Sequence, residues 1–70
     1  MMEEIAKLRV LLPHWIEHNG EHAAEFRDYA GRAGKVKDQL LAAAQLLEEA
    51  NARLEDALVE LGDALEHDHA

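Results

Sequence analysis

The sequence predicts an all-α fold: an antiparallel helical hairpin, helix 1 kinked near Pro13, dimerising into a four-helix bundle. Three observations carry this expectation. Leu40, Leu47, Leu54 and Leu61 recur every seven residues, and Ala43, Ala50, Ala57 and Ala64 recur three residues later. That is an a/d heptad seam, with leucine at one position and alanine at the other. The first half holds the same frame less strictly, with Ile5, Leu8, Leu12, Trp15, Asn19, His22, Phe26, Tyr29 and Ala33 in register. Between the halves, Tyr29-Ala-Gly-Arg-Ala-Gly34 supplies two glycines suited to a helix C-terminus and a tight connection.

Taken in order, helix 1 is expected over about residues 2–32. Pro13 lacks a backbone N–H and crowds the preceding turn, so a kink is expected there. Asn19-Gly20 is a turn signal in isolation, and a break at Gly20 would give a three-helix alternative. The apolar frame continues across both points, which favours one near-continuous helix. The turn falls at about 31–35 and helix 2 at about 35–66, with a fraying, histidine-containing tail over 67–70. Leu58, Leu65 and Ala44 widen the stripe of helix 2, so it should touch more than one neighbour. Alanine at each d position allows close helix approach, near the lower end of ~8–10 Å. Trp15, Phe26 and Tyr29 are expected in the core. Two helices of this length expose part of their apolar faces, and dimerisation covers them.

Composition narrows the function. The chain has 70 residues, no cysteine and a net charge of −8. It forms a single small domain that must draw stability from self-association or a metal rather than disulfides. The negative charge argues against nucleic acid and against anionic membrane surfaces as partners. No apolar run approaches the ~20 residues of a membrane span. The start, Met1-Met2-Glu3-Glu4, lacks a signal peptide's basic and apolar regions, so a soluble, cytoplasmic chain is expected. Serine, threonine and cysteine are all absent, which removes the common nucleophiles. One hairpin also offers little concave surface for a substrate, so the chain is not expected to be an enzyme.

The residues that point to chemistry are His14, His18 and His22, spaced four apart. On a helix, neighbouring pairs at that spacing can hold one metal ion between them. Only His22 falls on the seam; His18 borders it and His14 points further out. Each histidine has a glutamate three residues later (Glu17, Glu21 and Glu25), able to ligate or to fix a ring tautomer. In a two-fold dimer, His18 and His22 of each chain supply four imidazoles for zinc, nickel, cobalt or copper, with His14 auxiliary. The Glu-x-x-His signature of diiron bundles is missing, because Trp15 and Asn19 stand three residues before His18 and His22. Haem is disfavoured by a single seam histidine. His67-Asp68-His69 is a weaker metal candidate.

In a hairpin turning near Gly34, facing residue numbers sum to roughly 69, which sets Asn19 opposite Ala50 and Asn51, and His22 opposite Leu47. Asn19 and Asn51 are read either as a hydrogen-bonded register lock or, with Glu21 and Glu25, as groups that orient the ligating histidines. The stretch Leu12-Pro-His-Trp-Ile-Glu-His-Asn-Gly-Glu-His-Ala23, followed by Phe26, resembles a motif of short, uncharacterised bacterial and archaeal helical proteins. The resemblance covers about the first thirty residues. It implies that Pro13, His14, Trp15, His18, Asn19 and His22 act as a unit, and implies no established activity.

The functional expectation is a soluble homo-oligomer that binds a divalent transition metal for sensing, buffering or delivery, with a further protein partner possible. The alternative is a metal-free oligomerisation or adaptor module whose seam histidine and asparagine residues only set register.

Overall fold

The computed structural model describes residues 2–62. Helix α1 spans Met2–Ala30 and helix α2 spans Lys37–Glu60, joined through a turn and a short 3₁₀ segment, Gly34–Val36. The two helices pack against each other as a hairpin, and no strand occurs among the described residues.

Helix α1 passes through Pro13 and Gly20 without interruption. Losing one N–H at Pro13 costs less than abandoning an apolar register that continues on both sides. Gly20 lies beside α2: a Cβ placed there would approach the Asn51 amide nitrogen at 4.0 Å. The three-helix alternative does not occur. Helix α1 ends at Ala30 rather than near 32. Arg32 N–H bonds Tyr29 O at 2.9 Å and Ala33 N–H bonds Ala30 O at 3.3 Å, which tightens the last turn. Gly34 then takes φ 64°, a left-handed value that L side chains resist.

Helix α2 corrects the expectation that it runs from about 35 to 66. It begins at Lys37, after the 3₁₀ turn, and ends at Glu60. Leu61 N–H bonds Ala57 O and Leu58 O, Gly62 N–H bonds Val59 O, and Gly62 adopts φ 95°. A left-handed glycine just past the last helical residue is a standard helix stop. In the sequence the leucine–alanine heptad continues past Gly62 to Ala64 and Leu65, which does not mark this stop. Residues 63–70 lie outside the described part, including Ala64, Leu65, His67, Asp68 and His69.

The line of closest packing also differs from the a/d seam. The buried residues among those described are Leu12, Ala23 and Ala30 on α1 and Ala44 on α2. Asn51 and Leu58 follow Ala44 at helical spacing and are half-buried, whereas Ala50 is exposed. Helix α1 therefore rests on the Ala44–Asn51–Leu58 flank of α2, not on the Ala43–Ala50–Ala57 line. Three of the four core residues are alanine, so the helices approach closely but bury little volume. Leu8, Phe26, Leu40, Leu47, Leu54 and Leu61 are only half-covered. Trp15 and Tyr29, expected in the core, remain 40% and 60% exposed. They lie on the side of α1 that α2 leaves open. Among the described residues, no helix is long and apolar enough to cross a membrane.

Candidate metal centre

Asn19 and Asn51 form the polar middle of the hairpin. The Asn19 amide donates to Asn51 Oδ1 at 3.1 Å, and the Asn51 amide donates to Ile16 O at 2.9 Å. Both residues are half-buried. A slip of α2 by one turn would separate these donors and acceptors, so the pair ties register to hydrogen-bond satisfaction.

His14, His18 and His22 climb α1 beside this pair. A continuous helix keeps their side chains on adjacent turns of one flank. His22 is half-exposed, and His18 and His14 are exposed. The Nε2 atoms of His18 and His22 stand 3.0 Å apart, with the rings edge to face at a centroid distance of 4.5 Å. One ring donates and the other accepts, as their tautomers dictate. His22 Nδ1 lies 3.3 Å from Glu25 Oε1, a carboxylate placed to hold the tautomer that leaves Nε2 facing His18. The Phe26 ring stacks one turn further on, at 6.2 Å from His22. His14 is less closely engaged, stacked on His18 at 6.0 Å. His14, Glu17, His18 and Glu21 line a shallow groove of about 140 Å³ on the outer face.

The site is thus split into two parts. His18 and His22 converge on one point. His14, Glu17 and Glu21 flank a groove, and Glu21 is not part of the convergence. No three His, Asp or Glu side chains come together as a metal-holding group among the described residues. A single chain therefore offers a two-nitrogen half-site.

Two cross-helix contacts had no motif in the sequence. Arg27 donates from Nε and Nη2, one edge of its guanidinium, to the two Glu48 carboxylate oxygens at 3.1 and 2.6 Å. These hydrogen bonds, aided by charge attraction and opposed by desolvation, hold the Glu48 carboxyl below its ordinary range and raise the Arg27 guanidinium above its own. Arg9 donates to Gly62 O at 3.0 Å, tying the start of α1 to the end of α2. Only the facing register, once known, would have paired these residues.

Residues 8–61 match the model of a domain of unknown function, DUF8180. The chain belongs to this family. The DUF8180 span takes in α1 from Leu8 onward, all of α2, the three α1 histidines and the Asn19–Asn51 pair, and it stops before His67 and His69. No curated protein and no solved structure matches the chain.

Proposed function

We propose that this DUF8180 domain is a small oligomeric helical protein that binds a divalent transition metal through His18 and His22, with His14 auxiliary. The observation that carries this reading is the 3.0 Å separation of the two Nε2 atoms. Two nitrogens bound to one ion at ~2.0–2.1 Å stand about 3.3 Å apart in tetrahedral geometry and about 2.9 Å apart in square-planar geometry. The pair therefore needs only a few tenths of an ångström of side-chain adjustment to chelate. Glu25 supports the reading from behind, because a carboxylate on the far ring nitrogen raises the basicity of the ligating one. An exposed two-nitrogen site suits sensing, buffering or delivery, where the metal must enter and leave.

Isothermal titration of tag-free, chelator-treated protein with zinc and nickel tests this. Micromolar or tighter binding that His18→Ala and His22→Ala each abolish is the expected result. Binding no tighter than millimolar would contradict it.

The second reading is a metal-free oligomerisation or adaptor module. The Asn19–Asn51 hydrogen bond favours it, since a half-buried amide pair can serve register alone. It predicts that chelators leave the melting temperature unchanged and that the histidine variants keep the native assembly.

A further inference from the structure

We infer that a second copy of this chain docks on the apolar long side of the hairpin, with its two-fold axis at the level of Gly20 and Ala50. The two His18–His22 pairs then face each other. The role of the histidines rests on the metal reading above; the docking rests on the shape and chemistry of the face.

The hairpin has two unlike sides. Arg27–Glu48 and Arg9–Gly62 cross one of them. At 100° per residue, Trp15, His22 and Phe26 lie on the opposite flank of α1, and Leu47, Ala50 and Leu54 lie on one flank of α2. Because the helices run antiparallel, these flanks fall on the same side and form one continuous face. From residue 40 to 61, the heptad positions of α2 on this face carry no charge.

A second copy fits this face better than an unlike partner. The molecule measures 48 by 22 Å along its two longer axes, so one side offers about 1,000 Å². A stable interface needs ~800 Å² from each partner. A two-fold interface requires a patch that complements itself, and an uncharged leucine–alanine surface does so. The acidic residues of this strongly negative chain lie mainly on its outer edges and other side, so two copies can meet without opposing them.

The level of the axis follows from register. The Asn19–Asn51 bond sets Gly20 beside Asn51, and so beside the level of Ala50. An axis there, perpendicular to the helices, lays α1 on α1 and α2 on α2. His18 of each copy meets His22 of the other, and four imidazoles surround one ion. Ala50 meets Ala50 of the second copy, where the small side chain permits an interaxial distance near ~8 Å. This gives exposed Ala50, between half-buried Ala43 and Ala57, a partner that the hairpin itself does not provide.

The absence of cysteine makes the test clean. In Ala50→Cys the new thiol would be the only one, and Ala50 is exposed in the hairpin, so the substitution does not disturb its packing. At the crossing, the Cα atoms approach within the ~4.4–6.8 Å that a disulfide spans. Ala50→Cys is expected to cross-link at least about tenfold faster than Leu46→Cys, whose site is 65% exposed on the outer edge. Zinc should bind at one ion per two chains, and the wild-type melting temperature should rise with protein concentration. Equal cross-linking rates, or a monomer mass throughout the concentration series, would overturn the docking. One zinc per monomeric chain would overturn it while leaving the metal reading intact. Fast Ala50→Cys cross-linking without zinc binding would support the docking and overturn the metal reading.

Discussion

The two long sides of the hairpin are built differently, although the same two helices make both. One side is closed by specific polar bonds: Arg27 to both Glu48 carboxylate oxygens, and Arg9 to the carbonyl of Gly62. The other has half-covered leucines, a 40%-exposed tryptophan and the histidine pair. Polar bonds at water's edge contribute little to stability. Apolar surface left open contributes nothing until it is covered, at roughly 25 cal/mol per Å². The lesson is that this chain closes one side with its own polar bonds and leaves half-covered apolar surface on the other.

The comparison is broken most severely by cutting the line between the sides. Leu12 is 4% exposed and is the only large residue among the buried ones described. Leu12→Ala is expected to cost about 2–4 kcal/mol, read as a loss of cooperative urea unfolding. A change under ~1 kcal/mol would show that the hairpin interior is not where stability resides.

Next in size is the polar lock. Asn51→Ala leaves the Asn19 amide without its acceptor and is expected to cost about 1 kcal/mol. The double change Asn19→Leu with Asn51→Leu is expected to recover or exceed wild-type stability while broadening the distribution of oligomers. A uniquely assembled double variant would show that register is set elsewhere.

The open side can be sharpened with pH. Imidazoles must be deprotonated to ligate, so zinc affinity is expected to fall tenfold or more between about pH 7.5 and pH 5.5. Flat affinity over that range would point to carboxylate ligands instead.

The smallest effect belongs to the closed side. Glu48 is held below the ordinary carboxylate range by Arg27, so its contribution is present above that range and is lost as pH falls through the depressed value. Glu48→Gln should lower the melting temperature slightly at pH 7 and remove this dependence on the acid side. A loss larger than that of Leu12→Ala would reverse the ranking of the two contributions.

Much of the fold was legible because period and punctuation agree in this chain. Leu40, Leu47, Leu54 and Leu61 could only be a helix, and Gly31 and Gly34 could only mark its approach. What the sequence left open was angular. A heptad with leucine at a and alanine at d does not say whether the neighbouring helix sits on the seam or beside it, and here it sits beside it, on Ala44. The same ambiguity explains Trp15 and Tyr29, which share the apolar frame but lie on the flank that α2 does not reach. The end of α2 was obscured for a different reason, since the leucine–alanine heptad continues in the sequence past the left-handed Gly62. At the site, the spacing of the histidines was plain. The distances were not, because they depend on rotamers that sequence does not encode. Glu21 shows this: like Glu25 it follows a histidine by three residues, yet it lines the outer groove beside His14 and Glu17 while Glu25 reaches His22.

The central claim is that the open side and its histidine pair form one site shared by two chains. Native mass spectrometry of tag-free, chelator-stripped protein titrated with zinc tests it most directly. The account predicts a species of two chains and one zinc that appears as the ion is added and is lost in His22→Ala. A titration that yields only zinc-free species, or one zinc on each single chain, would contradict it.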